Sequence, residues 1–228
     1  MTGAVAIILA AGSGERLRQG AESVPKAFKQ FSSHETMLSM SVRSAAACPG
    51  IGSLIVTVPP GFEDRVGEVE SNGKLVVVVP GGESRRLSVA ASLRTLGDDV
   101  TSVVCHDAAR PFASPGLFGT VLAAIDEGVD GAIPVVHVPD TVKRVEADAV
   151  VETVPRQELR LAQTPQAFRS GALNDAHRRA AADAQEFTDD AAMLEWAGYK
   201  VRVVEGEASN FKITTAADFS RAEELLRD

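Results

Sequence analysis

The chain has 228 residues, 45% of them apolar and 24% charged, with 23 basic against 31 acidic side chains and a formal charge of −8. A chain of this size can bury roughly 70% of the surface it exposes unfolded, so it needs no disulfide or metal staple. Its two cysteines, Cys48 and Cys105, form no C-x-x-C pair, which excludes a zinc ribbon, a redox dithiol or a secreted disulfide framework and points to a reducing, cytoplasmic setting. The acidic balance offers no broad positive field to nucleic acid or an anionic membrane, and the apolar run at residues 5–11 is too short to span a bilayer.

In chain order, apolar runs of strand length alternate with amphipathic runs of helix length, the pattern of parallel strands joined by crossover helices. Strands are predicted at residues 4–10, 53–58, 75–79, 102–105, 132–138 and 200–204, the first, third and fourth apolar enough to be covered on both faces. Helices are predicted at 36–47, 84–96, 115–127, 171–184, 189–197 and 216–226, with Ser84, Ser114 before Pro115, and Thr188 as capping residues. The expected fold is one α/β domain over residues 1–228, a doubly wound and mostly parallel Rossmann-like sheet. Residues 141–154 break the rhythm, alternating with a period of two around a polar centre at 146–148, and predict a hairpin. A hairpin between βα units has no partner in such a sheet, so it either folds over the body or reaches another chain.

The first strand runs into LAAGSGERL (residues 9–17), with Pro25-Lys26 downstream. Gly12 and Gly14 let the backbone turn sharply and present amides to a polyanion, and Ala10 and Ala11 leave room beside it. Residues 10–30 hold Arg16, Arg18, Lys26 and Lys29 against Glu15 and Glu22, so positive charge gathers here in an acidic chain. The dinucleotide fingerprint would need a third glycine at Leu17 and an acidic residue ending the second strand, and a P-loop would need Gly-Lys before Ser or Thr; neither is present.

That loop resembles the signature of nucleotidyltransferases that join a nucleoside triphosphate to a sugar or polyol phosphate. In order follow GGESRRLS (81–88), HDAARP (106–111), PDTVK (139–143), QTPQ (163–166), FTDD (187–190) and NFKI (210–213). Together they resemble the 2-C-methyl-D-erythritol 4-phosphate cytidylyltransferase family over essentially the whole chain. One departure is Ala27, where many members carry Gln.

The resemblance implies attack of a phosphate monoester oxygen on the α-phosphorus of CTP, with release of pyrophosphate. No protein base is required, because a phosphate monoester with a second pKa near 6 is already largely dianionic at neutral pH. The sequence agrees: histidines 34, 106, 137 and 177 show no triad or metal spacing. The work lies in neutralising charge with cations and oriented amides. The resemblance assigns Arg16 and Lys26 to the triphosphate as transition-state stabilisers. It assigns Ala10, Ala11, Gly12, Gly14, Gly81, Gly82, Arg85, Ser88, Asp107 and Ala108 to the nucleotide, with Gly81, Gly82 and Ser88 at the cytosine.

Asp107 follows an apolar strand, where an α/β sheet places ligand contacts. A carboxylate beside a triphosphate is repulsive without a cation, so Mg²⁺ is the expected cofactor and Asp107 its tentative ligand. Arg110, Thr164, Thr188 and Lys212 are expected around the polyol phosphate. The hairpin, residues 139–156, becomes an arm exchanged between two subunits, through which Thr141 and Arg156 reach the neighbour's substrate; the expected state is a homodimer. Ribitol 5-phosphate remains an alternative acceptor. A dinucleotide oxidoreductase and a non-catalytic protein on a degenerate scaffold are the rivals from other classes.

Overall fold

A computed structural model of the chain describes residues 3–12, 24–67, 69–126 and 128–227. Gly14 and Arg16, both assigned above to the triphosphate loop, lie outside the described residues, as does the 127 terminus expected for one helix.

The elements run β1 (Ala4–Leu9), α1 (Met37–Ala47), β2 (Ile51–Val58), β3 (Leu75–Pro80), α2 (Arg85–Leu93), β4 (Ser102–Asp107), α3 (Pro115–Asp126) and β5 (Gly131–His137). The arm strands β6 (Val142–Glu146) and β7 (Ala149–Val154) follow. Then come β8 (Arg160–Ala162), β9 (Gln166–Arg169), α4 (Ser170–Ala182), α5 (Asp190–Trp196), β10 (Val201–Glu205) and α6 (Ala216–Leu225).

The main sheet has the order β10-β5-β9-β4-β1-β2-β3, with β8 on β5. β1 pairs in parallel with β2 and β4, β2 with β3, and β5 with β10. β9 is antiparallel between β4 and β5. The α/β, mostly parallel reading therefore holds. β8 and β9 are additions the sequence reading did not contain: they have three and four residues, too short for a period to register, and β9 starts right after Pro165.

Side chains alternate across the pleat, so β1 feeds two cores. Ala4, Ala6 and Ile8 pack with Leu38 and Val42 of α1 and Phe118 and Val121 of α3. Val5 and Ile7 pack with Val89 of α2, Leu173 and Ala176 of α4 and Leu194 of α5. A third cluster joins Met37 and Met40 to Ile213 and Phe219. β1 and β4 are buried as expected. β3 corrects its prediction: it is a sheet edge, and Leu75 is 67% exposed.

Ser84 caps α2 by accepting from the Leu87 amide, and Ser114 receives the Leu117 amide at the start of α3. Thr188 does not cap α5. Asp189 does, accepting from the Ala192 amide, because the helix begins one residue later than predicted and a carboxylate there also suits the helix N-terminus. Cys48 and Cys105 are buried free thiols. Among the described residues no helix is long and apolar enough to cross a membrane.

Candidate active site

A cavity of about 660 Å³ opens at the carboxyl ends of β1, β2 and β4, where a doubly wound sheet holds its ligands. Ala10, Ala11, Gly12, Lys26, Gly82, Arg85, Ser88, Asp107, Ala108 and Lys212 all line it. The motifs therefore converge although they span two hundred residues. Thr57, Glu83 and Thr214 also line it and were not singled out from the sequence.

One wall is glycine backbone. A Cβ on Gly81 would collide with the Ala11 methyl, and one on Gly82 with Leu87. The Ser88 hydroxyl, a turn into α2, accepts from the Gly82 amide at 3.1 Å and donates to the Ser84 carbonyl at 3.0 Å. Gly81-Gly82 is thus pinned against the end of β1, and Ser88 acts on that wall through its hydrogen bonds to the loop.

The floor is ionic. Asp107, the last residue of β4, receives Arg85 Nε on Oδ1 at 3.1 Å and Lys212 Nζ on Oδ2 at 2.7 Å. Burial works against its charge, but Arg85 and then Lys212 outweigh that and hold the carboxyl well below the usual range. Arg85 also donates through Nη1 to Asp190 Oδ2 at 2.6 Å. Burial disfavours its charge too, yet Asp190 and Asp107 keep the guanidinium firmly protonated. The repulsion that the sequence reading gave to Mg²⁺ is met here by two protein cations.

Lys212 reaches the floor because its neighbours are tied down. Asn210 is fully buried and donates to the Thr164 carbonyl at 2.9 Å, Phe211 stacks on Phe112, and the Ile213 amide donates to the Ala109 carbonyl. Lys26, in a short 3₁₀ turn after Pro25, stands on the cavity and donates to the Ile213 carbonyl, so both lysines border the same segment.

Behind the floor the HDAARP turn is internally hydrogen-bonded. Thr164 Oγ1 accepts from the Asp107 amide at 3.0 Å and lies 3.1 Å from His106 Nδ1, while His106 Nε2 lies 3.1 Å from the Arg110 carbonyl. One tautomer satisfies all three: Thr164 donates to Nδ1 and Nε2–H donates to Arg110. Burial lowers the His106 pKa to about 4, so it is neutral at physiological pH. Arg110 donates to the carbonyls of Asn210 and Ala162, and burial lowers its pKa. Thr164 and Arg110, expected at the polyol phosphate, are thus hydrogen-bonded within the protein and are not among the cavity-lining residues. Thr188 is exposed just before α5.

Thr141 and Arg156 sit at the base of the hairpin arm, both exposed and off the cavity lining, with Arg156 donating to the Pro139 carbonyl. The arm is a two-stranded sheet of its own that turns at Ala147 with φ +51°, and it exposes Val145, Val150 and Val151.

Comparison with known proteins places the chain among known sequences and folds. A family model described as IspD, 2-C-methyl-D-erythritol 4-phosphate cytidylyltransferase, matches residues 4–228. A bifunctional IspD/IspF enzyme of Sinorhizobium medicae is 41% identical over 96% of this chain and 55% of its own length. A 2-C-methyl-D-erythritol 4-phosphate cytidylyltransferase of Rubrobacter xylanophilus is 37% identical over 99% of this chain and 96% of its own. The chain spans about half the length of the bifunctional relatives it matches. Among solved structures, the 4-diphosphocytidyl-2C-methyl-D-erythritol synthase of Anaerococcus prevotii superposes with a TM-score of 0.86 at 28% identity, covering 100% of this chain and 97% of that one. The cytidylyltransferase of Thermus thermophilus gives 0.77 at 35% identity, covering 97% and 98%.

Proposed function

The chain belongs to the 2-C-methyl-D-erythritol 4-phosphate cytidylyltransferase family, and we propose that it converts CTP and 2-C-methyl-D-erythritol 4-phosphate to 4-diphosphocytidyl-2-C-methyl-D-erythritol and pyrophosphate. The observation that carries this reading is the cavity floor, where Asp107 is neutralised by Arg85 and Lys212 while Lys26 borders the same space. Three cationic side chains, Lys26, Arg85 and Lys212, meet at this cavity, and among the described residues it holds no nucleophile-and-base pair, which suits a reaction whose nucleophile is the substrate's own phosphate.

In the reaction, a phosphate oxygen of the polyol substrate forms a bond to the α-phosphorus of CTP as the bond from that phosphorus to the pyrophosphate oxygen breaks. No proton need move. Lys26 and Arg16 neutralise charge on the triphosphate and leaving group, and Lys212 holds the incoming phosphate. The walls at Ala10, Ala11, Gly81 and Gly82 allow close approach, and fixed backbone dipoles there distinguish the amino group of cytosine from the carbonyl of uracil.

Among the described residues no three His, Cys, Asp or Glu side chains gather as a metal site, and both Asp107 oxygens already face cationic donors. These residues do not fit a protein-held Mg²⁺, and Asp107 is not assigned as its ligand. Mg²⁺ stays in the proposal as the counter-ion of CTP, supplying positive charge to the polyphosphate.

The proposal extends to a cytoplasmic homodimer joined through residues 139–156, with Thr141 and Arg156 serving the partner's substrate; the exposed valines of the arm support it. Ribitol 5-phosphate is not favoured as acceptor. Pyrophosphate release measured with CTP, UTP and ATP against methylerythritol phosphate and ribitol phosphate tests base and acceptor together. Release only with CTP and methylerythritol phosphate is expected, and release with ribitol phosphate alone overturns the assignment.

A further inference from the structure

The FTDD motif contains an acid with no role so far. Asp190 is 1% exposed and opens α5 beneath the cavity, facing away from solvent. Its Oδ2 accepts from Arg85 Nη1 at 2.6 Å, and His177 Nε2 stands 3.4 Å from Oδ1. The adjacent Asp189 differs completely: it caps the helix and accepts from Gln166 Nε2. One acid of the pair builds the helix end and the other faces the site's buried arginine.

The geometry points to Asp190 as a positioning residue for the proposed reaction, acting on Asp107 and Lys212 only through Arg85. A guanidinium is a rigid planar fork. With Nη1 held by Asp190, Nε is aimed at Asp107 Oδ1, and Asp107 in turn presents Oδ2 to Lys212. Arg85 Nη2 is buried and makes no hydrogen bond among the described residues. The two carboxylates and two cations balance in charge. Without Asp190, the Asp107 carboxylate alone would balance both cations, and Arg85 would be held at Nε only, with its Nη1 end unfixed. Lys212, the group proposed to hold the attacking phosphate, would then lose its fixed acceptor.

The inference rests on the proposed cytidylyl transfer, but it has a readout that needs no substrate. In the intact protein the Arg85 Nε–H donates to Asp107, so its resonance in ¹H–¹⁵N spectra should be sharp in wild type and lost or broadened in Asp190→Asn. In pyrophosphate release, Asp190→Asn should lower kcat/KM by about 10²-fold, the cost of misplacing a positioned group by an ångström. The decisive comparison is Arg85→Gln against Arg85→Gln with Asp190→Asn, which remains usable if Asp190→Asn alone does not fold. The second change removes an uncompensated buried carboxylate and should raise Tm, yet shift kcat/KM by less than about twofold, since coupled residues are not additive. A further loss of tenfold would mean that Asp190 acts independently of Arg85. Recovery of rate along with Tm would mean that its role is only structural. Either overturns the inference, as does an Asp190→Asn protein that retains both the Arg85 signal and the rate. A wild-type protein inactive with every acceptor would overturn the proposed reaction, while the Arg85 signal would still decide the positioning role.

Discussion

Two ion pairs of nearly equal length lie in very different parts of this molecule. On the cavity floor Arg85 meets Asp107 at 3.1 Å, with side chains 23% and 13% exposed; on the arm Arg144 meets Glu152 at 2.9 Å, with 62% and 50%. The floor pair belongs to a chain running from Lys212 through Asp107 and Arg85 to Asp190, each member the acceptor or donor of the next. The arm pair stands alone on a two-stranded sheet. Distance is therefore a poor guide to what a charged contact does, because burial decides how strongly charges couple and how costly it is to leave one unpaired. The floor holds preorganised charge, as electrostatic catalysis needs; the arm carries its charges outward.

The sharpest way to break the comparison is at Lys26. If the floor and its lysines stabilise developing charge, Lys26→Ala should lower kcat by about 10²–10³-fold. Steady-state kinetics with CTP and methylerythritol phosphate would check this, and a loss under about tenfold would remove Lys26 from the mechanism.

The site's residue types were legible in the sequence because phosphate chemistry demands conspicuous ones: glycines at tight backbone approaches, a lysine after proline, an acid ending an apolar strand. Their division of labour was not. Arg85 lies one turn before Ser88 and was expected beside it at the nucleotide, but its guanidinium bridges Asp107 and Asp190, which are 83 residues apart in the chain. Such a link depends on α5 packing against α4 and β5, and no local period encodes that. Thr164 and Arg110 illustrate the same limit, since a hydroxyl or guanidinium reads alike whether it meets a ligand or groups of the protein, here the Asp107 amide and His106 for Thr164 and two backbone carbonyls for Arg110. In the fold, long strands with neighbours on both sides announced themselves, while β9 was hidden by its four residues and β3 was read as covered although it is an edge.

The second prediction concerns the wiring behind the floor. Folded His106 stays neutral down to about pH 4 because it is buried, whereas in the unfolded chain it takes up a proton near pH 6.5. The unfolded state therefore binds more protons between these values, so stability rises with pH across that window: the contribution is complete above 6.5 and declines as pH falls towards 4. At pH 5 the loss attributable to His106 is about 2 kcal/mol relative to pH 7.5. Urea unfolding of wild type and His106→Gln at both pH values should show a smaller drop in the variant; equal drops would mean that His106 is not buried in neutral form.

Subunit mixing then tests whether the arm completes a partner's site. A chain with Lys26→Ala supplies an intact arm, and a chain with Arg156→Ala supplies an intact pocket. In their heterodimer one of the two composite sites is whole. Random exchange at equal concentrations should restore about a quarter of the wild-type rate from two nearly inactive proteins. Exchange without recovery would assign Arg156 to its own chain.

The smallest effect is expected at Arg144. Breaking its pair with Glu152 by Arg144→Ala removes a contact that solvent screens on both sides, so the folding cost should stay below about 1 kcal/mol, within a few degrees of Tm. Removal of Arg85, its counterpart on the floor, would leave the buried Asp190 carboxylate uncompensated and Asp107 with Lys212 alone, and cost several times more. The arm variant also carries information about assembly. If the hairpin is clasped by a second subunit, the cost of Arg144→Ala should depend on protein concentration, because dissociation exposes the pair. A cost above about 2 kcal/mol that grows as the protein is concentrated would move Arg144 and Glu152 from the solvent-facing side of the comparison to the buried side, inside an interface. A small, concentration-independent cost would leave the arm's contribution to its exposed valines.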